Sequence, residues 1–225
     1  MSHESQLAVI GGNMQSPYRV SSSPSGPLSY AHISILSHNC NGISLRADEI
    51  LDNAVRVGAS IVCLSETLLF HDRLLPRGPG NAFKWLFGLP SSTLSSSLGR
   101  ARGGVAIAVN RNILRNVHVI ERKRNSLWIA LPTSSGSLFI NCLYLPPAGR
   151  VHATEREEEL AFLAGMVNKL KSRGDLIVIG DLNARMSANS DPKTNLEGRH
   201  LRSLCDSLNL SIVNLTKCCL SLIHI

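Results

Sequence analysis

The residues best suited to chemistry in this sequence are polar side chains at the ends of apolar, strand-like runs. They are Asn39, Asn41, Glu66, Tyr144, Asp181 and Asn183. In two of these runs the polar residues come as a pair, two positions apart, which predicts that both side chains of a pair lie on one face. Ligands of sandwich and α/β folds bind at strand ends and in the loops that follow them. The pattern therefore predicts a site there.

The chemistry that these residues favour is the binding of a hard divalent cation. Glu66 and Asp181 are carboxylates at the rims of apolar strands, where a charge is costly without a compensating cation or donor. No Lys or Arg lies within a few residues of Glu66, and Arg185 is the nearest to Asp181 along the chain. Mg²⁺ prefers oxygen ligands of this kind. Taken one at a time, the same residues are also compatible with ordinary strand-end turns.

Apolar periodicity predicts the elements that must position these side chains. Helices are predicted from Leu45 to Val57, from Glu155 to Lys171 and from His200 to Leu208. A capping box formed by Thr154 and Glu157 is expected to begin the second helix. Strands are predicted at residues 32–37, 61–65, 82–87, 105–109, 116–120, 126–131, 137–145, 176–180 and 210–213. This order predicts one α/β domain with sheets inside and helices outside.

Composition excludes several classes of protein. The chain has 225 residues, of which 44% are hydrophobic and 17% charged, as in a globular domain. It has no apolar run long enough for a membrane span, and its start does not resemble a secretory signal. Its six cysteines form no CxxC pair, which predicts buried thiols in a reducing compartment. Residues 1–30 are rich in Ser and Pro and are expected to form a flexible leader.

Taken together, five motifs in a fixed order resemble the endonuclease/exonuclease/phosphatase superfamily, the DNase I-like fold. The motifs are Asn39–Ile43, Leu64–Thr67, Gly103–Val109, Asn141–Pro147 and Ile179–Arg185. The segments Tyr-Leu-Pro-Pro and Gly-Asp-Leu-Asn-Ala-Arg favour the endonuclease domain of LINE-type (non-LTR) retrotransposons within it. The resemblance implies an α/β fold with a two-sheet β-sandwich flanked by helices in four layers, over residues 31–216.

The resemblance also implies a role for each site residue. Glu66 would be the ligand of Mg²⁺ or Mn²⁺, and Asn39 would assist the metal or the phosphate. Tyr144 would contact the scissile phosphate, while Asp181 and Asn183 would position the attacking water and stabilise the transition state. Such a domain nicks double-stranded target DNA in the nucleus and leaves a 3′-hydroxyl for a reverse transcriptase in the same polyprotein. An abasic-site repair nuclease, a phosphatase and a non-catalytic remnant remain as alternatives.

Basic residues suggest where DNA would bind. The net charge of +7 favours a polyanionic partner, although many proteins of such charge bind none. The candidates for sequence-independent phosphate contacts are Arg100, Arg102, Arg122, Lys123 and Arg124. The last three are equally compatible with a solvated hairpin tip.

The resemblance ends before the family's pattern does. After Asn214 the family continues with a strand containing Thr and Trp, a Ser-x-Ile-Asp segment and a closing Ser-Asp-His, and this sequence contains none of them. We therefore expect an incomplete domain that lacks its last strands, with residues 217–225 as a non-matching tail. Losing an acid/base partner costs a factor of about 10²–10⁴ in rate, so we expect little or no cleavage.

Overall fold

A computed structural model describes residues 7–11, 33–69, 75, 78–89, 103–114, 116–133, 136–149, 152–186, 194–212 and 222–224. The strands are β1 (Leu7–Gly11), β2 (Ser34–Asn39), β3 (Ile61–Ser65), β4 (Phe83–Phe87), β5 (Val105–Asn110), β6 (His118–Arg122), β7 (Ser126–Thr133), β8 (Gly136–Tyr144), β9 (Asp175–Asp181), β10 (Ser211–Ile212) and β11 (Leu222–His224). The helices are α1 (Ala47–Arg56), α2 (Arg111–Leu114), α3 (Ala153–Leu170) and α4 (Leu196–Leu208), with a 3₁₀ turn at Pro79–Asn81.

The strands form two sheets. The first sheet has six strands in the order β10-β1-β9-β8-β7-β6, and the second has five in the order β11-β2-β3-β5-β4. Two neighbouring pairs are parallel, β2 with β3 and β8 with β9, and the other pairs are antiparallel. Because each parallel pair ends in a predicted site residue, the topology sets where the site can form.

Apolar side chains pack the sheets against each other and the helices against both. Ile61 and Ile107 of the second sheet meet Ile140 of the first in the central layer. Helices α3 and α4 cover the outer face of the first sheet, and α1 covers that of the second. This four-layer α/β sandwich confirms the predicted fold class. None of the described helices is long and apolar enough to cross a membrane.

Most predicted elements are present, and the differences concern where they begin. Helix α3 begins at Ala153, and its N-cap residue is His152, whose side chain makes no capping hydrogen bond. The prediction that Thr154 and Glu157 form a capping box was therefore wrong. Arg156 in the first turn of this helix is hydrogen-bonded to the loop after β8. Helix α4 begins four residues before the predicted His200, since the Asn195 side chain accepts a hydrogen bond from the Gly198 amide at 2.8 Å.

Two segments expected to lie outside the domain contribute strands. Strand β1 comes from the predicted leader and pairs with β9 and β10, so the expectation of a flexible leader was wrong for Leu7–Gly11. Strand β11 comes from the predicted tail and pairs with β2. Both are short apolar runs that take up the hydrogen-bonding edge of a neighbouring strand. The rest of residues 1–30 lies outside the described residues.

Candidate active site

The candidate site lies where the two parallel strand pairs end, one pair in each sheet. Asn39 pairs with Ser65 at the end of β2 and β3, and Tyr144 pairs with Asp181 at the end of β8 and β9. The Asn39 amide nitrogen donates a hydrogen bond to Oδ2 of Asp181 at 2.7 Å, which joins the two sheets across this edge. The predicted convergence of these side chains is therefore observed.

Asp181 is a buried carboxylate whose two oxygens each accept a hydrogen bond. Its side chain is only 2% exposed, and its Oδ1 accepts a bond from the Asn183 amide at 3.0 Å. Burial raises the pKa of Asp181, while the bonds from Asn183 and Asn39 and the charge of Arg156 act in the opposite direction. The carboxylate is thus fixed in one orientation by donors from both sheets.

Glu66 occupies a tight turn directly after β3. Its backbone is left-handed, with φ of 53°, a conformation uncommon for a residue with a side chain. The turn is held because the Gly42 amide donates to the Glu66 carbonyl at 2.8 Å and the Thr67 amide donates to the Gly104 carbonyl at 3.2 Å. The Glu66 carboxylate is half-buried and is thereby held at the rim of the site.

Tyr144 lies beside Asp181 on the neighbouring strand and interacts with Glu66. Its side chain is 7% exposed. Burial raises the pKa of Tyr144 far above its ordinary value, and the negative charge and hydrogen bond of Glu66, followed by the charges of Asp181 and Glu155, raise it further. The phenol is therefore neutral at any physiological pH, and its hydroxyl donates to the Glu66 carboxylate.

Two glycines and Asn125 form the tightly packed surroundings of Tyr144 and Thr67. A Cβ atom on Gly103 would lie 3.1 Å from the tyrosine ring, and one on Gly104 would lie 2.7 Å from the Thr67 hydroxyl. Asn125 is 2% exposed; its oxygen accepts from the Gly104 amide at 3.1 Å, and its carbonyl accepts from the Tyr144 amide at 2.8 Å. The positions of Gly103 and Gly104 therefore leave no room for a side chain.

The two other asparagines behave differently from the prediction that each pair shares one strand face. Asn41 and Asn183 have left-handed backbones, with φ of 41° and 44°, so strand alternation ends before either residue. The Asn183 amide nitrogen donates to the Leu145 carbonyl at 2.8 Å, which ties the loops after β8 and β9 together. Asn41 is exposed, and its backbone amide donates to Oδ1 of Asn39 at 3.1 Å.

Sequence reasoning missed Asn125 and Arg156. Arg156 is 8% exposed and donates to the carbonyls of Pro146 at 2.8 Å and Leu182 at 3.1 Å. Its charge acts on Asp181, whereas Arg185, the nearest basic residue in sequence, is exposed. One signal was available, because Arg156 lies on the same helical stripe as Leu163 and Leu170, and a basic residue on an apolar stripe needs buried partners.

The comparisons agree with this geometry. The family model described as the Endonuclease/Exonuclease/phosphatase family matches residues 36–211, which include every predicted catalytic residue. The chain belongs to this family. No curated protein matches the sequence.

Several solved structures share the fold. The endonuclease domain of TRAS1, a telomere-specific non-LTR retrotransposon, aligns with a TM-score of 0.55 and 16% identity over 78% of this chain and 70% of that one. The AP endonuclease LMAP from Leishmania major aligns with a TM-score of 0.61 and 13% identity, over 79% of this chain and 67% of that one. The catalytic domain of Xenopus laevis APE2 aligns with a TM-score of 0.58 and 17% identity, over 77% of this chain and 67% of that one. At these identities the likeness concerns the fold alone.

The basic residues near this family site differ in what they contact. The Lys123 ammonium lies 3.9 Å from the centroid of the Phe162 ring, and its charge acts on the buried Glu159. Lys123 therefore anchors its loop to α3, a contact that the prediction of a phosphate contact did not include. Arg122 is exposed and Arg124 half-buried, and the loop continues directly into Asn125 beside Tyr144. Arg100 and Arg102 lie outside the described residues.

The donor set is compatible with the divalent metal that the family implies. Among the described residues, no group of three or more His, Cys, Asp or Glu side chains could hold a metal. Mg²⁺ does not require one, because it keeps several waters and is bound in proteins by one or two carboxylates together with substrate phosphates. Glu66 supplies a half-buried carboxylate, and Asn39 supplies an amide oxygen on the neighbouring strand. These two residues would hold the ion.

Proposed function

We propose that this site hydrolyses phosphodiester bonds of DNA with Mg²⁺ or Mn²⁺, as the endonuclease domain of a non-LTR retroelement. The observation that carries the proposal is the hydrogen bond between Asn39 and Asp181, which brings the ends of the two sheets together beside Glu66 and Tyr144. Carboxylates, an amide and a neutral phenol at one edge form a surface that can accommodate a phosphodiester and a water molecule.

Each residue has a chemical task that follows from its environment. The bound cation would neutralise charge on a phosphate oxygen. The Tyr144 hydroxyl, kept neutral by burial and by Glu66, would release Glu66 and donate its one hydrogen bond to the scissile phosphate when substrate binds. Asp181, held by Asn39 and by the Asn183 amide, accepts a hydrogen bond from the attacking water and orients it. Positioning and charge stabilisation supply most of the catalysis in such transfers.

Duplex DNA is the proposed substrate because the basic loop adjoins the site. Arg122 is exposed three residues before Asn125, which contacts the Tyr144 amide. A phosphate bound by this loop would belong to the same strand region that enters the site. A 3′-hydroxyl product would serve a reverse transcriptase of the same polyprotein, and the place of action would be the nucleus.

The test is a plasmid-nicking assay with Mg²⁺ and with Mn²⁺. We expect slow nicking, since the sequence contains no Ser-Asp-His segment, and we expect the nicks to be extendable by a polymerase. Glu66→Gln is expected to abolish nicking, whereas the matched control Glu121→Gln, an exposed carboxylate on β6, leaves it unchanged. Rapid turnover that requires Glu66 would contradict the expected loss of rate.

Other substrates and a binding measurement separate the alternatives. Preferential cleavage of abasic duplex would indicate a repair-type nuclease, and release of inorganic phosphate from a phosphorylated headgroup would indicate a phosphatase. A chain that shows no activity and whose thermal unfolding midpoint does not respond to Mg²⁺ would be a non-catalytic remnant. Any of these three results in place of DNA nicking would contradict the proposal.

A further inference from the structure

The side chain of Asn125 connects helix α3 to a turn at the edge of the site. Its Oδ1 accepts a hydrogen bond from the Gly104 amide at 3.1 Å, and its Nδ2 donates one to Oε1 of Glu155 at 2.9 Å. The other carboxylate oxygen of Glu155 lies 3.8 Å from Nδ1 of His152. A carboxylate only accepts and a backbone amide only donates, so both partners of Asn125 fix the same orientation of its side-chain amide.

The turn formed by Gly103 and Gly104 lies against the ring of Tyr144. A Cβ atom on Gly103 would lie 2.6 Å from Oδ1 of Asn125 and 3.1 Å from the tyrosine ring. The backbone of Tyr144 is fixed by the same asparagine, because the Tyr144 amide donates to the Asn125 carbonyl at 2.8 Å. Asn125 therefore contacts the turn through its side chain and the tyrosine through its backbone.

The same turn is paired with the two residues that follow Glu66. Its carbonyls accept hydrogen bonds from the amides of Thr67 at 3.2 Å and of Leu68 at 3.1 Å. Glu66 and Leu68 both have left-handed backbones, with φ of 53°, a conformation that is uncommon for residues with side chains. A displacement of the turn would therefore move the loop of Glu66 relative to the ring of Tyr144.

We propose that Asn125 is a positioning residue that, oriented by Glu155, fixes the Tyr144 hydroxyl relative to the Glu66 carboxylate. Asn125 is only 2% exposed, so it acts through the turn and not on a substrate. The catalytic consequence rests on the proposed function, whereas the positioning is a property of the folded chain and is measurable without DNA. A misplacement of about 1 Å in such a group lowers a rate by up to about a hundredfold.

The direction of the hydrogen bond between Asn125 and Glu155 provides matched variants. Asn125→Asp keeps an acceptor for the Gly104 amide but sets two carboxylates against each other. Adding Glu155→Gln restores a donor and an acceptor with the direction reversed, because the glutamine amide donates to the aspartate. Asn125→Ala removes both side-chain bonds. Asn53→Ala, on the exposed face of α1, is the control.

Plasmid nicking with Mg²⁺ measures the catalytic consequence. We expect Asn125→Ala and Asn125→Asp to lower kcat by about tenfold or more with KM within about threefold, and the double variant Asn125→Asp/Glu155→Gln to recover most of the loss. In a Tyr144→Phe background, Asn125→Ala should cause no further loss, because Asn125 acts through the hydroxyl that this variant lacks. A full additional loss of kcat in that background would overturn the proposal.

Fluorine nuclear magnetic resonance of the full chain labelled with 3-fluorotyrosine measures the positioning without DNA. The Tyr144 signal is assigned by its loss in Tyr144→Phe. It should shift toward the position of an exposed tyrosine or broaden in Asn125→Ala and in Asn125→Asp, and return in the double variant Asn125→Asp/Glu155→Gln. An unchanged signal in a folded Asn125→Ala variant would show a purely structural role and overturn the proposal.

Two further outcomes are decided by the same measurements. If circular dichroism shows that Asn125→Ala does not fold, the signals of Asn125→Asp and of its double variant with Glu155→Gln decide. If the wild type does not nick DNA but the Tyr144 signal responds as expected, the proposed function is refuted and the positioning role of Asn125 stands.

Discussion

Replacing Asn125 by alanine should destabilise the protein and loosen the tyrosine at the same time. The Asn125 side chain accepts from the Gly104 amide at 3.1 Å and donates to the Glu155 carboxylate at 2.9 Å. Asn125→Ala deletes both bonds, while the backbone bond from Tyr144 remains possible. The substitution thus separates the support given by the side chain from that given by the backbone.

The magnitude follows from the burial of each partner. Gly104 is half-buried, and leaving its amide without an acceptor costs about 1–2 kcal/mol. Glu155 is 41% exposed, so water replaces much of its lost bond and the cost there is about 1 kcal/mol. We therefore expect a loss of about 2–3 kcal/mol in the free energy of unfolding. For a domain of this size that lowers the melting temperature by roughly 4–12 °C.

Urea unfolding followed by far-ultraviolet circular dichroism measures this change. The matched control is Asn53→Ala, which removes a 2.6 Å hydrogen bond to Arg56 on the exposed face of α1 and should cost less than about 0.5 kcal/mol. Asn125→Asp keeps the acceptor but sets a carboxylate against Glu155, and Glu155→Gln should recover part of that loss. If Asn125→Ala is as stable as Asn53→Ala, Asn125 does not hold the site.

Three further predictions concern a glycine, a buried carboxylate and the basic loop. Gly104→Ala should lower the free energy of unfolding by about 1–3 kcal/mol, because the φ of Gly104 is 86° and the new Cβ would lie 2.7 Å from the Thr67 hydroxyl. Gly165→Ala in α3, whose new Cβ would have nothing within 4 Å, is the control and should be neutral or stabilising in thermal melts. Burial raises the pKa of Glu159, so its ionised carboxylate destabilises the fold once the pH rises above the unfolded pKa of about 4.3. Glu159→Gln should therefore raise the free energy of unfolding at pH 7 and not at pH 3. Equal effects at the two pH values would refute this explanation. Arg122→Ala should reduce the slope of log K for DNA binding against log[salt] by about 1. Lys123→Ala should leave this slope unchanged but lower the free energy of unfolding, because Lys123 contacts Phe162.

The sequence predicted the strands and the residues at their ends because these depend on local patterns. Asn39, Glu66 and Asp181 each follow an apolar run, and parallel neighbours in each sheet bring such ends to one edge. The fold and the family were confirmed in this way. The roles of these residues in catalysis and metal binding stay predictions.

The rest of the site depends on contacts between residues far apart, which local patterns do not encode. Arg156 is fixed by carbonyls of Pro146 and Leu182, and any residue type could supply a carbonyl. Lys123 lies on Phe162 because α3 packs beside its hairpin, so a charge run alone could not separate it from Arg122. Strand β1 was missed because five apolar residues in a segment rich in Ser and Pro are too few to show a hydrophobic periodicity.

The hydrogen bond between Asn39 and Asp181 spans 142 positions of the chain. During synthesis the ribosome releases the amide long before the carboxylate that it will bind, so no partly made chain possesses the site. Non-local pairing of this kind also slows folding, because the entropy cost of closing a long loop must be met before the contact can stabilise the chain. The order in which the polypeptide emerges therefore prevents the site from forming before Asp181 has been made.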